Sequence, residues 1–81
     1  MELRVLRYFL AVAREGSFTK ASNVLHVTQP ALSKQIMDLE GELDCKLFVR
    51  GSHSVRLTED GFLLKRRAEE ILEIEERTIS E

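Results

Sequence analysis

At 81 residues the chain has room for one domain, and a domain of this size buries only about 60% of the surface its unfolded chain exposes, which leaves one small core and no deep catalytic cleft. With 43% hydrophobic and 32% charged residues, one Pro and four Gly, it is too apolar for a disordered tail and too interrupted for a membrane span. The net charge of −2 speaks against a polyanionic partner only as an average, because Met1 to Leu57 holds eight basic and six acidic residues while Thr58 to Glu81 holds four and eight.

The first apolar set, Leu3, Leu6, Phe9, Leu10 and Ala13, recurs at three and four residues and predicts a helix with one buried stripe. Gly16 can take the left-handed conformation that ends it. Ser17 is then a candidate N-cap for a short second helix whose stripe is Ala21, Val24 and Leu25. About eight residues is too short to persist without packing. A break at His26 and Val27 precedes Thr28, a capping residue for a third helix, and Pro30 fits the first turn because its missing donor falls among amides that have no helical partner. Leu32, Ile36, Leu39 and Leu43 form the buried line of that helix, within about 60° of one another. Pro30, Ser33, Lys34 and Met37 fall on the opposite side, a small polar to basic face suited to a polyanion.

After Gly41 and Asp44 the period changes. Leu47 to Arg50 and Val55 to Leu57 are short β-prone runs around Gly51, Ser52, His53 and Ser54, which predicts a hairpin with a four-residue tip. Thr58 caps a last helix, with Glu59 and Asp60 at the positive end of its dipole. Its 24 residues would extend about 36 Å, against a radius of gyration of about 12 Å for a compact chain of this length, so part of it should project. Leu64, Ala68, Ile71, Leu72 and Ile79 share a face that the small body cannot fully cover; a second chain is the natural cover, although Glu75 interrupts the stripe. Folding back onto its own domain is the alternative.

Within the body, Ser17 to Met37 and Cys45 to Leu57 contain no acid at all, and they hold Lys20, Lys34, Lys46, Arg50 and Arg56. If the fold joins these windows they make one positive face; chance clustering on a solvated surface is the plain alternative. The lone Cys45 has no disulfide partner and no neighbours at zinc-ligand spacing, so it reads as a small apolar filler, a reactive thiol being the other possibility. His26 and His53 lack metal partners and read as turn or loop residues. The amino terminus mixes charges with apolar residues and has no small-residue cleavage site, so no export signal is read and the cytoplasm is the expected compartment.

Two short helices joined by a brief break, the second starting with small polar residues and followed by a hairpin, have the outline of a winged helix-turn-helix. Met1 to Gly61 resembles the amino-terminal DNA-binding domain of the LysR-type transcriptional regulators. The resemblance is carried by LRVLRYFLAVA at Leu3 to Ala13, GSFTKA at Gly16 to Ala21, LHVTQPALSKQIMDL at Leu25 to Leu39, Leu47 with Phe48 and Arg50, and LTEDG at Leu57 to Gly61. It implies a mainly α fold in which residues 1–57 form a winged helix-turn-helix, three helices with a two-stranded wing, and residues 58–81 form a linker helix that pairs with its copy in a homodimer.

The resemblance further implies that Thr28, Gln29, Pro30, Ser33 and Lys34 face double-stranded DNA. Their chemistry agrees: Gln29 can pair with an adenine edge, Pro30 can touch a thymine methyl, Ser33 can bond a base or a phosphate, and Lys34 can neutralise phosphate. Ser17, Thr19 and Lys20 are candidate backbone contacts, although capping alone would explain Ser17. Arg50 matches a basic position of the family, and Ser52 and His53 occupy a tip able to reach a minor groove; an arginine paired with a nearby acid is the dull alternative. Met37 and Asp38 stand where the family is often basic, which should weaken nonspecific attraction. The family's proteins are several times longer, with a carboxy-terminal domain that binds a small-molecule inducer, so the chain is expected to be a DNA-binding portion with no cofactor of its own. A helical pairing module that binds only protein would use the last helix and leave the acid-free windows without a role. A small enzyme is disfavoured, because no nucleophile, base and orienting group occur in recognisable order.

Overall fold

The computed structural model describes residues 1–52 and 54–81. Its elements are α1 (Leu3–Glu15), α2 (Phe18–Leu25), α3 (Gln29–Leu43), β1 (Phe48–Arg50), β2 (Val55–Leu57) and α4 (Glu59–Ser80). The starts and stops follow from local chemistry. Gly16 closes α1 with φ at 66° and donates its amide to the Val12 carbonyl at 2.9 Å. Ser17 then starts α2 by accepting from the Lys20 amide at 3.2 Å, and Thr28 starts α3 by accepting from the Ala31 amide at 3.3 Å, with Pro30 in the first turn. His26, between α2 and α3, adopts the left-handed conformation with φ at 59°.

The core is built around α1, which packs on α2, α3 and α4. Phe9, Val12, Ala21, Leu32, Ile36 and Leu47 are fully enclosed, and the Phe48 ring lies 5.3 Å from Phe9 and 5.8 Å from Phe18, within the range of favourable aromatic packing. Because α1 is covered on more than one side, its buried surface is broader than the single stripe expected. Val5, Ala11 and Val12 are buried as well, while Leu3 is exposed. The other stripes are also shifted: Val24 and Leu43 face solvent, and Phe18, Ser22 and Glu40 take buried places.

The hairpin pairs Phe48 with Leu57, Val49 with Arg56 and Arg50 with Val55 in antiparallel register. Leu47 lies just outside it, buried in the core. One backbone bond ties the hairpin to the end of α1 and another continues its ladder toward α4. The Val55 amide donates to the Gly16 carbonyl at 3.0 Å, and the Thr58 amide donates to the Leu47 carbonyl at 3.0 Å. The glycine that ends α1 therefore holds β2 beside the start of α2.

The apolar face of the last helix is divided between the body and solvent. Ala68 and Leu72 are buried against Leu6 of α1, and the part-buried Leu64 and Ile71 pack on the same cluster, so the chain itself covers part of the stripe assigned to dimerisation. The stripe also contains Glu75, whose carboxylate forms an ion pair with Arg7, and the Glu76 carboxylate lies 3.9 Å from the same guanidinium. What looked like a flaw is the polar end of the α1–α4 contact. Ile79, four residues beyond Glu75 on that line, remains exposed, as do Phe62, Leu63 and Ile74. The long axis of the molecule, 43 Å, exceeds the about 33 Å rise of a 22-residue helix. No helix in the described residues is long and apolar enough to cross a membrane.

Candidate nucleic-acid interface

An open crevice lies between the start of α2, the start of α3 and the hairpin. Ser17, Thr19, Lys20, Gln29, Arg50 and Ser52 line it, with Phe18, Gly51, Ser54 and Val55 completing the wall. Among the described residues no carboxylate contributes. The two acid-free windows of the sequence thus meet at this place, joined by the Gly16–Val55 hydrogen bond beneath it. Thr28, Pro30 and Lys34 are exposed on the adjoining face of α3 and Ser33 is half-buried there. His53 lies outside the described residues.

The side chains are differently prepared for a ligand. Gln29 donates through Nε2 to Ser33 Oγ at 3.1 Å, so one turn of α3 presents a linked amide and hydroxyl. Arg50 stands with its guanidinium carbon 4.2 Å from the centre of the Phe18 ring, a cation–π geometry that holds the charge at the crevice without neutralising it. No acid pairs with Lys20, Lys46, Arg50 or Arg56 among the described residues, whereas Lys34 Nζ is 2.9 Å from Asp38 Oδ2. Lys46, Arg50 and the exposed Met37 border a second shallow groove beside the first, together with Glu40 and Phe48. Lys20, Lys46 and Arg50, three uncompensated cations on these two adjoining hollows, are what a polyanion needs.

Two residues essential to this arrangement were not singled out from sequence. Phe18 completes the α2 stripe with Ala21 and Leu25 at three- and four-residue spacing, and that periodicity could have found it. Glu40 is buried and accepts from the Leu47 amide at 2.7 Å, fixing the chain where it turns from α3 into β1. No sequence signal separates it from its solvated neighbour Glu42. Cys45 packs at the edge of the core. Burial first, then the carboxylates of Asp60, Glu40 and Asp44, push its thiol above the ordinary value, which disfavours the thiolate.

Comparison with known proteins agrees with this geometry. Residues 3–62 match the family described as bacterial regulatory helix-turn-helix protein, lysR family. The HTH-type transcriptional regulator BenM of Acinetobacter baylyi is 46% identical over 80 residues, which is 99% of this chain and 26% of BenM. The nitrogen assimilation regulatory protein of Klebsiella aerogenes is 47% identical over 72 residues, 89% of this chain and 24% of that protein. The chain thus spans about a quarter of the length of these two relatives, which are transcriptional regulators rather than enzymes. Among solved structures, a complex of the CbnR DNA-binding domain with DNA superposes with a TM-score of 0.95 at 38% identity, covering 99% of this chain and 92% of that one. A complex of the BenM DNA-binding domain with catB site 1 DNA gives 0.94 at 46% identity, covering 99% and 89%. Four helices and a two-stranded wing in this order, the family match over most of the chain and these superpositions agree, and the chain belongs to the LysR family of bacterial regulatory helix-turn-helix proteins.

Proposed function

We propose that this chain is the DNA-binding domain of a LysR-type transcriptional regulator and that it reads double-stranded DNA sequence-specifically, with the start of α3 in the major groove and the hairpin near the minor groove. The observation that carries the reading is the crevice in which Ser17, Thr19, Lys20, Gln29, Arg50 and Ser52 converge without a carboxylate. The neighbours solved as DNA complexes support it. On this reading Gln29 and Pro30 meet base edges, Ser33 a base or phosphate, and Thr28 and Lys34 the adjoining backbone. Ser17, Thr19 and Lys20 hold phosphate at the start of α2, and Arg50 and Ser52 hold the backbone or minor groove beside the wing.

Residues 1–57 act as the reading unit and residues 58–81 as the linker helix, through which two copies form a homodimer on paired half-sites. The apolar residues open to a second copy are Phe62, Leu63, Ile74 and Ile79. Leu63 and Ile74, eleven positions apart, lie within about 20° on one helix line. A bacterial regulator of this kind acts on operators in the cytoplasm. Binding of a small-molecule inducer belongs to the carboxy-terminal domain of such a regulator, beyond the quarter that this chain matches.

A mobility-shift titration at several salt concentrations tests the reading. If each of two subunits neutralises about four phosphates, the logarithmic salt slope is about −7. Replacing Gln29 by Ala should relax base preference at one position of a selected site, at about 1–3 kcal/mol. Binding that ignores salt, or none to any member of a random duplex library, would contradict it.

A further inference from the structure

Asp38 is the first acid of α3, and Lys34 stands one turn before it. Their bond, 2.9 Å from Nζ to Oδ2, lies on the solvent side, where the two side chains are 76% and 63% exposed. With the cation amino-terminal to the acid, the order is the one the helix dipole does not favour. An exposed pair of this kind adds little to helix stability. Its consequence falls instead on any other anion that would use Lys34. Among the described residues Lys34 is the one cation of the acid-free windows with an internal partner, Lys20, Lys46, Arg50 and Arg56 having none.

Among the described residues Lys34 is the one cation within ion-pair distance of Asp38. Asp38 borders a hollow also lined by Glu2 and Glu42. The cations nearest those acids are already engaged: the Met1 amine lies 2.7 Å from Glu42, and the Arg4 guanidinium 3.5 Å from Glu2. Met37, exposed next to Asp38, supplies no charge.

We infer that Asp38 is an affinity-setting residue of the recognition helix, competing with a DNA phosphate for the Lys34 ammonium. The inference rests on the proposal that α3 faces DNA. A phosphate oxygen and the Asp38 carboxylate ask the same ammonium for the same charge-assisted bond, so docking exchanges one anion for the other instead of adding a contact. Counterion release at Lys34 is reduced accordingly, because the protein's own carboxylate already fills the place of a counterion.

The test is a set of four proteins: the 81-residue chain, Asp38→Asn, Lys34→Gln and the double variant. Each is titrated onto a mixed-sequence duplex by fluorescence anisotropy at several salt concentrations. Asp38→Asn should bind about two- to fivefold tighter at low salt. Its salt slope should steepen by about 0.9 for each Lys34 released. In the Lys34→Gln background the same substitution should give no gain, because there is no ammonium left to release. Far-ultraviolet circular dichroism of the four should superimpose, the pair being exposed. An unchanged Asp38→Asn overturns the inference. So does an equal gain in both backgrounds, which would mean that the carboxylate repels phosphate directly. In both cases DNA binding itself stands. A parent chain that binds no duplex overturns the DNA-binding proposal and the inference with it.

Discussion

The crevice side of the molecule and the seam behind it treat their polar groups in opposite ways. In the seam, where α3, the hairpin and α4 meet, the polar atoms satisfy one another: Leu47 donates to Glu40 at 2.7 Å and accepts from the Thr58 amide at 3.0 Å, while the Thr58 hydroxyl donates to the Lys46 carbonyl at 2.6 Å and accepts from the Gly61 amide at 3.0 Å. At the crevice, Lys20 and Arg50 have no acidic partner among the described residues. The seam fixes where the wing stands, and the crevice keeps its charge for an outside partner. Mutations should separate the two, with seam changes costing stability and crevice changes costing binding.

The largest effect is expected at Gly61. A Cβ built there would stand 2.2 Å from the Leu47 carbonyl oxygen and 2.9 Å from Leu57 Cδ2. That carbonyl cannot retreat freely, since it also accepts from the Thr58 amide. Gly61→Ala therefore has to push α4 away from the hairpin and should destabilise by about 3 kcal/mol, read as a lower midpoint in urea. A variant of unchanged midpoint would show that the seam is looser than its hydrogen bonds indicate. Glu40→Ala comes next. Removing the buried acceptor leaves the Leu47 amide unpaired at a cost of about 2 kcal/mol, and hydrogen exchange at Leu47 should quicken. Glu40→Gln retains a carbonyl acceptor and should recover most of the loss.

The same contrast explains what could be read in advance. Caps and breaks are local chemistry, so Ser17, Thr28, Thr58 and Gly16 could be read directly, and the element order followed from them. The acid-free windows at Ser17 to Met37 and Cys45 to Leu57 anticipated which segments would meet, because charge left unpaired on a surface is visible in composition. Glu40 was illegible, because its burial depends on the chain doubling back at Asp44 and Cys45 to bring the Leu47 amide to it. The stripe on α4 was legible as apolar, and its division between α1 and open surface was not. Periodicity tells that Leu64, Ala68 and Leu72 share a face and not which surface covers it, and Leu6 of α1 was near enough to do so.

The smallest effect is the most discriminating, and it concerns Arg50. Its guanidinium lies over the Phe18 ring at 4.2 Å, so the seam's product, a fixed β1, and the crevice's function, an available charge, meet in this one side chain. Arg50→Lys keeps the charge and loses the planar stacking surface, because an ammonium is a compact, strongly hydrated ion on a flexible stem. If position matters as well as charge, the variant should bind DNA about 1 kcal/mol more weakly, similarly for all sequences, with an unchanged salt slope and an unchanged urea midpoint. If charge alone matters, the lysine variant should bind like the parent. The two outcomes differ about fivefold in Kd, within reach of an anisotropy titration. A drop in the urea midpoint would instead place Arg50 in the seam and erase the division between the two regions.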